Sequence, residues 1–192
     1  MKKLLQRTFR RPLTWLATRL ASAPRKDAIF ASLNKLLQLI QSEDKEATIL
    51  SFDIPTANFI VFSDHHKGAR DMADDFRLAE VNYAAALNYY NENRFTLIAL
   101  GDCEELWENT PATVIEKNKA VLLTEAAFLE DNRYYRVFGN HDLEWKYTIQ
   151  QNHYLKPLYG DKLKVCESVY LHTNTGDGDF RILLRSSPVT KG

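Results

Sequence analysis

Short apolar runs, each followed by glycine or polar residues and then by a long amphipathic stretch, repeat along the middle of this chain. Phe59 to Phe62, Phe95 to Leu100 and Tyr134 to Phe138 are rich in aromatic and β-branched side chains, and their lengths and polar boundaries read as buried strands. Ala73 to Asn91 has the length and periodicity of a helix returning to the strand at Phe95, and Pro111 to Glu130 of another returning to Tyr134. Two short strands, Ala47 to Phe52 and Ala57 to Phe62, flank Ile54-Pro55-Thr56. Ser168 to Leu171 and Phe180 to Leu184 read as strands joined through Gly176-Asp177-Gly178-Asp179, whose Asp-Gly is the preferred pair of a type I′ hairpin turn. Strand, helix, strand repetition predicts an α/β fold with a mainly parallel sheet and right-handed crossovers.

The N-terminal part is patterned differently and suggests a division into residues 1–45 and 46–192. From Asp27, a plausible N-cap, to Ser42 the residues Ile29, Phe30, Leu33, Leu36, Leu37 and Ile40 share one helical face. Before it, Leu4, Leu5, Phe9, Leu13, Leu16 and Leu20 keep helix-like spacing, interrupted at Pro12. Residues 1 to 26 also hold Lys2, Lys3, Arg7, Arg10, Arg11, Arg19, Arg25 and Lys26 with no acidic side chain, so a chain of zero net charge is +8 there and −8 elsewhere. Such an arm can lie on an anionic membrane surface or dock on its own acidic domain. Its charges are dispersed among the apolar positions, unlike a cleaved signal peptide. No base-stacking motif accompanies it, which argues against a nucleic-acid module.

Composition narrows the class only a little. An apolar fraction of 45% and a charged fraction of 26% are ordinary for a globular domain. Cys103 and Cys166 form no disulfide framework and point to a reducing compartment. No apolar run approaches the roughly 18 residues of a membrane span. The expectation is a cytoplasmic protein, with peripheral membrane association as one of the two roles open to the arm.

The chemistry is concentrated directly after the three strands. Ser63-Asp64-His65-His66, Gly101-Asp102-Cys103-Glu104-Glu105 and Gly139-Asn140-His141-Asp142 sit where ligands gather in α/β proteins, just beyond the carboxyl ends of parallel strands. Carboxylate, imidazole and amide oxygen together suit Zn, Mn or Fe better than an all-oxygen set. Two such ions about 3.5–4 Å apart can clamp a phosphate and activate a water. Asp102 is the natural bridge between them. Singly each motif is ordinary: an Asp-x-His is usually a solvated turn, Gly-Asp is turn chemistry, and Gly-Asn-His-Asp can lead into a helix cap. Alternation along an extended segment turns His65 away from Asp64 and His66. Glu105 is either a supporting group or solvated. Trp107 and Cys103 read as core residues, Lys67 and Arg70 as phosphate contacts or solvated charges, and His153 and His172 as packing or surface residues.

In order and context the three motifs resemble the signature of the calcineurin-like metallophosphoesterase superfamily, DxH, then GDxx(D/E), then GNH(D/E). The match covers roughly residues 57 to 185. The resemblance implies two packed mixed sheets flanked by helices, two divalent metal ions and a phosphate-ester substrate. Carried over by position, Asp64, His66 and Asp102 hold one ion, Asp102 and Asn140 the other, and His141 contacts the phosphate and assists the leaving group, oriented by Asp142. Leu106-Trp107-Glu108 resembles the following segment in members acting on nucleotide-linked lipid or sugar diphosphates.

The family's later Gly-His and Gly-His-x-His motifs have no counterpart, since only His153 and His172 follow His141. Phe180 to Leu184 is the kind of strand that delivers such a motif. One permitted codon set for Arg185 to Gly192, read after loss of two bases, encodes Phe-Ile-Thr-Gly-His-Gln-Gly. The expectation is therefore a frameshifted or truncated relative of a longer phosphoesterase, with an incomplete second sheet and unpaired edges at the strands of Tyr170 and Ile182. Its alternative is a non-catalytic remnant that binds metal or a partner on the same scaffold.

Overall fold

The computed structural model describes residues 47–72, 74–175 and 178–186, the side chains from 48 to 173 and from 181 to 186, and five positions of an N-terminal unit. The chain divides into two compact units, Met1–Asp44 and Lys45–Gly192. In the first, Asp27, Phe30, Ala31, Asn34 and Gln38 are helical. The basic arm of residues 1–26 lies outside the described residues, as does the predicted apolar face except Phe30, which is 65% exposed.

The second unit holds seven described strands in two sheets. Strands β1 (Ala47–Ser51) and β2 (Phe59–Phe62) are followed by helix α1 (Phe76–Glu92), β3 (Thr96–Leu100), α2 (Pro111–Lys117), α3 (Lys119–Ala126) and β4 (Tyr134–Val137). A run of short helical turns leads to β5 (Lys164–Cys166), β6 (Ser168–Thr175) and β7 (Gly178–Arg185). The order β2-β3-β4-β5 forms an entirely parallel sheet, and β1-β6-β7 a mixed one in which β1 runs parallel and β7 antiparallel to β6. Of the two mixed sheets expected, one is therefore fully parallel. Its three crossovers return every strand in the same direction, which aligns their carboxyl ends.

The two apolar faces of the parallel sheet pack differently. On β3, Leu97 and Ala99 face the helical cluster with Leu87, Val121, Leu122 and Phe128, whereas Ile98, beside Val137 of β4, meets Val169 and Leu171 from the other sheet. This alternation follows the two-residue period of a strand. The neighbouring strands β1 and β2 belong to different sheets, so the Ile54-Pro55-Thr56 connection crosses between them. Strand β6 is paired on both sides, so the free edge expected at Tyr170 falls instead on β7, where Ile182 is 37% exposed. Thr175 pairs with Gly178, while the turn residues Gly176 and Asp177 lie outside the described residues.

The helix predicted over 111 to 130 is broken in two places. Thr110 caps its start by accepting from the Thr113 amide at 3.3 Å, with Pro111 at the first helical position. At Asn118 the fully buried amide donates to Val114 O at 2.9 Å and to Gly68 O at 2.8 Å. Competition for the helix backbone by that side chain separates α2 from α3. The last turn, Ala127–Asp131, is 3-10 and closes on left-handed Asn132. Among the described residues no helix is long and apolar enough to cross a membrane.

Candidate metal centre

Backbone hydrogen bonds knit the three strand-end loops together. Asp64 N reaches Gly101 O at 3.3 Å, His66 N reaches Asp102 O at 2.9 Å, Lys67 N reaches Cys103 O at 2.9 Å, and Glu105 N returns to Lys67 O at 3.0 Å. The third loop joins through Gly101 N to Val137 O at 2.9 Å and Leu106 N to His141 O at 3.0 Å. Asp64, His66 and Asp102 all have left-handed backbones, with φ of 54°, 48° and 51°. Such conformations cost non-glycine residues on the order of 1–3 kcal/mol each and cluster at functional sites. The turning of His65 away from Asp64 and His66 therefore comes from left-handed turns on either side of it and not from an extended segment.

Each side chain can now be placed. Asp64, His66 and Asp102 offer ligand atoms that all lie within 4.8 Å of one another. Their two carboxylates and one imidazole fit a divalent ion. Asp102 Oδ1 also accepts from the His141 amide at 2.8 Å, which draws the third loop onto the second. Gly139 permits that approach, since a Cβ there would collide with the Asp102 carboxylate and lie 2.6 Å from its backbone nitrogen. Asn140 follows directly, its carbonyl accepting from the Trp107 indole at 2.8 Å.

The residue that meets the His141 ring is Glu105. Its Oε2 lies 2.7 Å from His141 Nδ1 and 3.0 Å from His66 Nδ1, and the two rings stand edge to face at 4.4 Å. Burial pushes the Glu105 carboxyl up, but the hydrogen bonds from His141 and His66 outweigh it and hold the group below the usual range. Asp142, expected to orient His141, instead supports backbone: its Oδ1 accepts from Gly139 N at 2.6 Å and its Oδ2 from Cys103 N at 2.9 Å. That correction has a simple cause. Asp142 is fully buried beneath the loops, whereas Glu105 extends into the cleft.

Other neighbours also differ from expectation. Trp107 is not core: it is 66% exposed and stacks on His141 with ring centres 3.8 Å apart. Lys67 is not solvated. It is fully buried, 2.9 Å from Glu125 Oε1 and 3.7 Å from Glu104 Oε1. Glu125 also accepts from the hydroxyls of Tyr83, Tyr134 and Tyr159 at 3.0, 2.8 and 2.9 Å. Glu104 pairs with buried Arg136 and accepts from Trp145 Nε1 at 2.9 Å. Two cations and two carboxylates thus neutralise one another directly under His66 and Glu105. Arg70 pairs with Glu80.

Cys103 is buried, and burial raises its thiol to about 11, so it offers no thiolate. His65 packs 4.2 Å from the Tyr83 ring, and burial, aided by the Lys67 charge, lowers it to about 3. His153 is exposed against Tyr154, and His172 stacks over Tyr170 within β6. Neither belongs to a ligand group among the described residues. At the end of β7, Ser186 packs so closely on left-handed Gly101 that a Cβ there would collide with it.

These loops open on a cleft of about 470 Å3 lined by Asp64, Asp71, Asp74, Asp75, Glu105 and Glu108. No Lys or Arg lines it among the described residues, so it attracts cations strongly and repels an uncompensated phosphate. Sequence reasoning placed Asp64, His66, Asp102, Asn140 and His141 at strand ends; it left Glu105 open and missed the burial of Lys67, which no local pattern between His66 and Gly68 signals. No family model, curated protein or solved structure matches this chain.

Proposed function

We propose that this chain carries a metal-dependent phosphoesterase site of the calcineurin-like metallophosphoesterase type, within a fold of two packed sheets, acting on a phosphate ester or diphosphate. The observation that carries the reading is the convergence of Asp64, His66 and Asp102 within 4.8 Å, beside a Glu105–His141 pair, at the aligned ends of parallel strands. Asp64, His66 and Asp102 would hold one divalent ion, and Asp102 with the Asn140 side chain another. When bound, the ions supply charge neutralisation for the phosphate and a lowered pKa for water.

The chain's own residues supply orientation and a proton. Glu105, an acceptor, keeps a proton on Nδ1 of both His66 and His141. His66 Nε2 is thereby left with a lone pair for a ligand role. In the imidazolium form of His141, the same contact holds the Nδ1 proton and leaves the Nε2 proton to be given to the departing oxygen. Trp107 fixes the plane of that ring from the opposite side.

Turnover of an aryl phosphate in the presence of Mn tests the reading. His141→Ala should lower kcat by about 10²–10⁴-fold, the usual contribution of a positioned general acid. Absence of turnover in the wild-type chain with manganese bound would instead support a non-catalytic metal- or partner-binding remnant. That second reading is favoured by one observation, the placement of His153 and His172 outside the ligand groups of the described residues.

A further inference from the structure

Two groups of ligand atoms meet at this site, and they share one residue. Asp64, His66 and Asp102 form the first, while His66, Glu105 and His141 form a second whose ligand atoms also lie within 4.8 Å of one another. The first offers two carboxylates and one imidazole, the second two imidazoles and one carboxylate. The second is partly open to solvent, with side-chain exposures of 36%, 16% and 23% for His66, Glu105 and His141. Its Nδ1 to Oε2 separations of 3.0 and 2.7 Å are hydrogen-bonded ones, and a tetrahedral ion with bonds of about 2.0–2.2 Å would take the place of those protons by spreading the ligand atoms to about 3.3–3.6 Å. Trp107, stacked on His141, already holds that ring in place.

The geometry points to His66, Glu105 and His141 as a separate cation site that selects zinc over manganese. Nitrogen-rich sets favour zinc, whereas carboxylate-rich sets suit manganese, so the preference for zinc over manganese is larger at the second group than at the first. A neutral imidazole gives one lone pair to one ion, so occupation of the second group withdraws His66 from the first. It also places an ion on Nδ1 of His141, in place of the proton that Glu105 holds there. Zinc in this position therefore competes with the manganese-loaded arrangement and disables His141 as a proton donor. The regulatory half of the inference rests on the phosphoesterase reading; the binding half stands without it.

Calorimetric titration of the metal-stripped full chain with ZnCl2 and with MnCl2 separates the two groups. Outer-shell partners alone are worth about 10–100-fold in metal affinity, so loss of a direct ligand should cost at least that much. Glu105→Gln and His141→Ala should each weaken zinc binding by about tenfold or more, and His141→Ala should change manganese binding less than about threefold. Asp64→Asn should do the reverse. If Asp64→Asn abolishes binding of both ions while the other two variants alter neither, the second site does not exist. Nitrogen-15 spectra of the wild-type histidine rings give a readout that needs no variant: the His141 ring signals should move on zinc addition, and their constancy would overturn the proposal. In the aryl phosphatase assay, zinc added to the manganese-loaded chain should inhibit. A chain without turnover that still shows the zinc pattern refutes only the phosphoesterase reading.

Discussion

Glu105 Oε2 lies 2.7 Å from Nδ1 of His141, and the same oxygen lies 3.0 Å from Nδ1 of His66. A single carboxylate oxygen therefore joins two imidazoles carried by different loops. The pairing exists because Glu105 N bonds Lys67 O and Leu106 N bonds His141 O, which pin the second loop between the first and the third. The following outcomes are expected.

Trp107→Ala removes the stack on His141 and the indole hydrogen bond to Asn140 O. Ring pairs of this kind are worth about 0.5–1.5 kcal/mol, so stability should fall by no more than that. Activity should fall further with a poor alkyl leaving group than with p-nitrophenolate, because only the former needs the His141 proton. Comparison of kcat for the two substrate classes checks this; equal losses would place Trp107 outside proton transfer.

Gly139→Ala should weaken manganese binding without unfolding the chain. The added Cβ would lie 2.6 Å from Asp102 N, which forces the second and third loops apart. Overpacking of this sort costs about 1–3 kcal/mol. Thermal denaturation together with manganese calorimetry distinguishes the local displacement expected from general collapse.

Lys67→Met and Glu125→Gln each strand a fully buried partner and should each destabilise by about 3–5 kcal/mol. The double variant should cost clearly less than the sum, since it removes both charges. Urea denaturation of the four proteins completes the cycle. Additive losses would mean that the 2.9 Å ion pair contributes no coupling.

The pH dependence of stability should carry the mark of Glu125. Burial pushes its carboxyl up, but the Lys67 charge and hydrogen bond prevail and hold it below the usual 4.5. A group with a depressed folded value contributes stability above its unfolded value and loses it as pH falls through the folded value. Urea midpoints should therefore drop steeply below about pH 4.5, and Lys67→Met/Glu125→Gln should show a shallower decline over the same interval. A parallel decline in both proteins would assign acid lability to other groups.

The path from sequence to site was short for residues whose role depends on local order. Asp64, His66, Asp102 and His141 follow apolar runs of strand length, and parallel strands connected by helices must end on one side. That fixed their neighbourhood before any coordinate was known. Glu105 and Asp142 could not be sorted in the same way, because both are acidic residues two or three positions from a candidate ligand. Which one meets His141 depends on how far each loop is buried once the others close over it.

Lys67 shows the same limit from the inside. A lysine after Asp-x-His reads as solvated, and only the assembly of the strand-end loops with α1, α3, β4 and the turn that ends at Tyr159 supplies Glu104, Glu125 and the three tyrosine hydroxyls on Glu125. Hydrophobic period and turn chemistry are written in neighbouring residues, so the sequence by itself determined the α/β class, the strand ends and the residue types of the candidate centre. Burial, tautomer and charge pairing depend on residues 30 to 60 positions apart, such as Lys67 with Glu125 and His66 with Glu105. Only the tertiary structure decided those, because the free energy of a charge is set by what surrounds it and not by what precedes it in the chain.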